Sequence, residues 1–83
     1  MPQYFLNLHN RIGFVPDESG VDLSSLAEAR EQAIANIRSI VSEDVRNGLI
    51  DLNGRIEIAS QDGRVLDVVS FATAFELQLD HSR

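Results

Sequence analysis

Hydrophobic and polar positions alternate at the start of the chain, with Tyr4, Leu6 and Leu8 on one side and Phe5, Asn7 and His9 on the other. A two-residue period is that of a β-strand, whose successive side chains point to opposite faces. Both faces of this first strand carry apolar groups. Gly13 interrupts a second strand-like stretch over residues 11 to 15, and Pro16, Asp17, Ser19 and Gly20 supply turn residues before the pattern resumes at 21 to 23.

The period then changes. Ser25 followed by Glu28 is a capping box, in which the hydroxyl accepts from the third helical amide and the carboxylate reaches back to the amide of the cap. From there Leu26, Ala29, Ala33, Ile37, Ile40 and Val41 fall on one face at three- and four-residue steps, with Ile34 and Val45 at its edge. Gly48 is a natural helix stop. The spacing predicts one helix over about 25–47, roughly 33 Å long and able to cross a whole small sheet.

Residues 54 to 71, GRIEIASQDGRVLDVVSF, carry the strongest strand signal, two alternating runs around Asp62-Gly63. Turn length decides which side chains face the core. A two-residue Asp-Gly loop would set Asp67 beside Ile56 and Ile58, whereas a three-residue Gln61-Asp62-Gly63 loop groups Ile56, Ile58, Leu66 and Val68. The second register keeps the acid out of the core and is the one expected. It leaves Ala59, Val65 and Val69 on the other face among Arg55, Glu57 and Asp67. In the closing FATAFELQLD, Phe75, Leu77 and Leu79 alternate while Phe71, Phe75 and Leu79 fit helical spacing, so a short helical piece followed by an edge strand is expected. The order β-β-α-β-β describes an α+β fold, an antiparallel sheet with one long helix on one face. One helix cannot cover both faces, and apolar strand positions remain for a second copy or another partner.

Composition changes this picture little. The 83 residues, 43% hydrophobic and 24% charged, suit one globular domain spanning 1–83 rather than a disordered chain. At the usual per-residue scale its stability is about 4 to 12 kcal/mol, a margin that self-association would widen. The absence of cysteine removes disulfides, thiolate nucleophiles and the common structural zinc sites, and fits a cytoplasmic setting. No apolar run approaches a membrane span, and the N-terminus lacks a signal-peptide layout. A net charge of -6, with seven arginines and no lysine, disfavours nucleic acid as a partner.

Candidate chemistry is sparse. Asp17, Glu18, Ser19 and Asp22 could offer oxygens to a hard cation, but the order of acids in a calcium loop is absent and Asp, Ser and Gly are what turns use. His9 and His81 stand at opposite ends of the chain without a ligand partner at metal spacing. No nucleophile elbow and no phosphate-binding glycine loop is present, so no catalytic residue, cofactor or metal is expected. Two polar residues break the pattern: Arg30 and Asp44 fall inside the apolar arc of the helix. The expected account is that each extends past the sheet edge, Arg30 to meet Asp17 or Glu18. The arginines at 38, 46, 55 and 64 are separated by acids and make no basic stripe.

Four stretches together carry a resemblance. QYFLNLHN is similar to an Arg-Tyr-Phe-Phe-x-Leu-x-Asp/Asn opening, PDESGVDL to an Asp-Glu-x-Gly-x-Glu/Asp-Leu turn, LAEAREQA to an alanine-rich helix start, and GRIEIASQDGRVLDVVSF to a closing hairpin. In their order and spacing the chain resembles a family of short stand-alone bacterial domains of unknown function, frequent in alphaproteobacteria. Gln3 departs from a typical basic residue, which weakens an anion site on the first strand, and Ser70 stands where proline often precedes the phenylalanine. The resemblance implies a single domain and brings no activity, cofactor or catalytic residue with it. A looser likeness to antitoxin-like and double-stranded-RNA-binding-like modules concerns architecture only.

The function expected from the sequence is therefore a non-enzymatic interaction or regulatory module, a homodimer joined through the uncovered sheet face or a module for another protein. The alternative is a small anionic-ligand site at the 17–30 turn and helix start, built on Arg30, Asp17 and Glu18 with the helix N-terminal amides.

Overall fold

A computed structural model describes residues 2–80. The elements are β1 (Gln3–Asn10), β2 (Gly13–Val15), β3 (Val21–Asp22), α1 (Leu26–Arg46), β4 (Arg55–Ala59), β5 (Val65–Ser70) and a 3-10 turn at Ala72–Ala74. Every pairing is antiparallel, in the order β2-β1-β4-β5, with β3 also on the outer side of β1. The α+β fold with one long helix against an antiparallel sheet is thus present, and the strand resumes after the turn as a two-residue β3.

The helix lies on the face formed by Tyr4, Leu6, Ile56, Ile58 and Val69. Its buried stripe is Ala29, Ala33, Ile37 and Val41, one residue per turn. Alanines bring the first half of the helix close to the sheet, while Ile37 and Val41 fill the deeper centre. Ser25 caps the helix as its sequence implies, its hydroxyl accepting from the Glu28 amide at 3.2 Å. The reciprocal half of the capping box is displaced by one residue: Glu28 Oε1 accepts from the Ser24 amide (2.9 Å) and Ser24 hydroxyl (2.7 Å). At the other end, after the cap residue Asn47, Gly48 N–H donates to Val45 O and Leu49 N–H to Asp44 O, the paired bonds of a Schellman stop.

The closing hairpin corrects the expected register. Its loop does have three residues: Ser60 N–H donates to Arg64 O, Gly63 N–H to Ser60 O, and Gly63 takes the left-handed φ of 89° that the turn requires. Beyond the loop, however, Ala59 pairs with Val65 while Ile58 pairs with Asp67, so Leu66 is an extra residue in β5. This bulge rotates the rest of the strand by one position. Val69 and Asp67 face the helix beside Ile56 and Ile58, and Leu66 and Val68 are exposed. The expected grouping of Leu66 and Val68 with the core is wrong, because a correct loop was followed by a bulge that alternation does not reveal.

After β5, Phe71 and Ala74 turn into the core, and Arg38 Nε donates to Ala74 O at 2.9 Å. Gly54 sits against the Phe71 ring, where an added Cβ would meet ring carbons at 2.8 Å, so this approach requires the missing side chain. The short helical piece is present. The edge strand expected after it is not: residues 76–80 form no strand, and Leu77 and Leu79 are exposed. Such a strand would need the outer amides of β5, and the Val68 amide is already bonded to Asp67 Oδ1 at 2.8 Å.

Candidate functional site

Asp17 belongs to the edge of the sheet. Between the stretches where β1 pairs with β2 and with β3, its outer amides have no strand partner, and Asp17 Oδ2 accepts from the Leu6 N–H at 3.1 Å. Asp17 Oδ1 accepts from Ser19 N–H (3.3 Å) and Gly20 N–H (3.0 Å), folding the turn onto itself. The Asp17 amide in turn donates to Asn7 Oδ1 at 2.9 Å. One carboxylate therefore replaces a missing strand and closes an Asx turn. Replacing Asp17 with alanine is expected to lower stability by about 2 kcal/mol, since it strands a part-buried amide and opens the turn. Urea denaturation reads this directly. Glu18 points to solvent.

Arg30 does not meet Asp17 or Glu18. Its Nη1 donates to Asp67 Oδ2 at 2.8 Å, on a strand two positions across the sheet from the one that holds Asp17. The two residues that break their own elements' patterns answer each other: an arginine in the apolar arc of the helix and an aspartate turned under it by the bulge. The Arg30 hydrogen bond, helped by the Val68 amide, holds the Asp67 carboxyl below its ordinary 3.8. The folded state thus prefers the charged form, and the pair's contribution is complete above pH 3.8 and lost as pH falls through the lowered value. The stability difference between wild type and Asp67→Asn is expected to be level near neutrality and to shrink below pH 3.8, as measured by thermal melts across pH. Asp44, the other polar residue in the arc, meets Arg11 Nη1 at 3.4 Å, and the same nitrogen lies 3.6 Å from Asp51.

The sequence-marked residues are therefore split among structural bonds. What the fold brings together instead is the face of the sheet opposite the helix. Antiparallel pairing lays out rows of Phe5, Ala59 and Val65, then Asn7, Glu57 and Val68, then Phe14, His9, Arg55 and Ser70. His9 Nε2 donates to Glu57 Oε1 at 3.1 Å, Arg55 Nε approaches Glu57 Oε2 at 3.5 Å, and the Phe14 ring lies 4.5 Å from the His9 ring. A shallow hollow of about 390 Å³ opens among Phe5, Asn7, Phe14, Glu57, Ala59 and Val65. Around this charged centre Phe14 is 54% exposed, Val65 47% and Val68 45%.

Spacing along the chain could not have found this cluster. His9 and Glu57 are 48 residues apart and become neighbours only through the pairing of β1 with β4. Asp67 did leave a signal, because an acid in one core-facing register and an arginine in an apolar arc are each costly alone and compatible together.

Among the described residues no cluster of histidine, aspartate and glutamate could hold a metal ion, and no helix is long and apolar enough to cross a membrane. His81 lies outside the described residues. No curated protein and no solved structure matches the chain significantly. A family model, the domain of unknown function DUF6894, matches residues 3–72, from the first residue of β1 to the opening of the 3-10 turn. The match takes in the whole sheet and the helix, and the chain belongs to the DUF6894 family.

Proposed function

We propose that this domain is a non-enzymatic interaction module that pairs with a second copy of itself through the open face of its sheet. The observation that carries this reading is the exposure of Phe14, Val65 and Val68 on a face that no element among the described residues covers. Apolar side chains grouped on one face gain from mutual burial in a way that scattered ones do not. The charged centre suits a two-fold contact: Glu57 is held between His9 and Arg55, so its charge is balanced before a partner arrives.

The size of the face sets the expected strength. Three inter-strand spacings of about 4.8 Å by five residues at about 3.3 Å make a patch near 14 by 17 Å. Paired with its copy, such a patch buries roughly 500 Å², well below the ~1,200–2,000 Å² typical of stable complexes, so the dimer is expected to be weak and to form only at high micromolar concentration. The competing anion-site reading draws less support, since the Arg30 fork and the Asp17 carboxylate are already engaged with different strands. Sedimentation equilibrium over a range of protein concentrations tests the proposal. A reversible monomer to dimer transition in the micromolar range supports it, and a monomer at every concentration overturns it.

A further inference from the structure

Strand β5 has β4 on one side and, among the described residues, no strand on the other. Phe71 N–H donates to Gly54 O, so the bonded pairs in this ladder are Gly54 with Phe71, Ile56 with Val69 and Ile58 with Asp67. Val68, opposite Glu57 between two of them, turns its amide outward. That amide is not left for a neighbouring chain: it donates to Asp67 Oδ1 at 2.8 Å, while Asp67 Oδ2 accepts from Arg30 at 2.8 Å. Arg30 thus holds the carboxylate in the position from which it occupies the edge. Just before it, the Leu66 bulge breaks the regular spacing that an added strand would have to match. The run Val65, Leu66, Val68, Val69 is apolar and, apart from Leu66, β-branched, the composition that makes an open edge adhesive.

We propose that the Arg30–Asp67 pair, together with the bulge, closes the outer edge of β5 to strand addition, and that the strand it excludes is β5 of a second copy. Two β5 edges meeting antiparallel about a two-fold axis would place Val68 near its own counterpart and join both sheets into one. Asp67 prevents this by keeping the central amide occupied and by presenting a carboxylate beside the counterpart's carboxylate. Edge and face are separate surfaces, so this inference stands whether or not the open face self-associates.

The test compares the sedimenting mass of five folded proteins at one high micromolar concentration, with far-UV circular dichroism as the check on folding. Asp67→Ala is expected to raise the mass at least twofold over wild type, as one new edge contact forms per copy: a dimer from a monomer, and a tetramer or open chain from a face-paired dimer. Adding Val68→Pro, which deletes the outward amide without breaking a bond to β4, is expected to bring the mass down to that of Val68→Pro alone, the reference required because Val68 also lies on the open face. Glu31→Ala, which removes the same charge from the exposed helix surface, is expected to leave the mass unchanged. If Asp67→Ala is unfolded at the assay temperature, the Arg30→Leu, Asp67→Ala pair, which leaves no guanidinium unpartnered, is read in its place. A folded Asp67→Ala protein with the wild-type mass overturns the proposal. So does failure of Val68→Pro to reverse the association, or a Glu31→Ala protein that associates equally.

Discussion

Ile58→Ala is expected to lower the unfolding free energy by about 3 kcal/mol. Ile58, in β4, is 0% exposed, with Leu6 opposite on β1 and Asp67 opposite on β5, and it lies in the same cluster as Ile37. Truncation there removes three methyl or methylene groups from a place where a helix and three strands converge, and neither the helix nor the sheet can close the space without shifting the other. Against a total of about 4 to 12 kcal/mol for a chain of this size, the loss is between a quarter and most of the stability. Ile50→Ala is the matched control, since Ile50 is 74% exposed in the connection before β4 and its truncation is expected to cost less than about 0.5 kcal/mol. Urea denaturation of the two variants gives the comparison. Equal losses would mean that the core is not centred on β4.

Val65→Glu is expected to weaken self-association about a hundredfold, near 3 kcal/mol in dimer free energy, while leaving the fold intact. Val65 lies on the open face opposite Ala59, in the row that also holds Phe5. In a two-fold dimer each interface receives the substitution twice. Two glutamates then lose water, without partners, between subunits that already carry -6 each. The variant's melting temperature at dilution should match that of wild type, which separates loss of contact from loss of folding. Sedimentation of both proteins at matched concentrations checks the expectation, and unchanged association would place the contact elsewhere.

Local features were legible in the sequence where the physics is local. The Ser25 cap, the Ala29 to Val41 stripe and the Gly48 stop depend on residues within a turn of one another, and each is present. The three-residue hairpin loop was legible for the same reason. The bulge at Leu66 was not, since Val65, Leu66, Val68 and Val69 are all apolar and alternation supports either register. Only the assumption that an acid avoids the core chose between them, and that assumption fails when an arginine waits in the same layer. Arg30 and Asp67 are 37 residues apart, so the compensation is invisible until helix and hairpin are docked. The open face was foreseen as uncovered surface, but its centre was not, because His9, Glu57 and Arg55 meet only through a long-range ladder.

The turn at 16–20 changes meaning in this light. Its acidity looked like a ligand site and proves to serve the sheet, with Asp17 on the Leu6 amide of β1 in the gap between β2 and β3, as Asp67 is on the Val68 amide of the outer strand β5. Each carboxylate occupies a backbone donor that would otherwise invite a neighbouring chain. With these two donors taken, we place association on the open face.

Isotope-filtered nuclear Overhauser spectroscopy on a mixture of labelled and unlabelled wild-type protein tests this most directly, because it reports contacts between copies and nothing within one. The account predicts intermolecular signals joining the Val65 and Val68 methyl groups to the Phe5 and Phe14 rings. Signals confined to the outer edge of β5 or to the exposed side of the helix, or no intermolecular signal at concentrations well above the micromolar range, would contradict it.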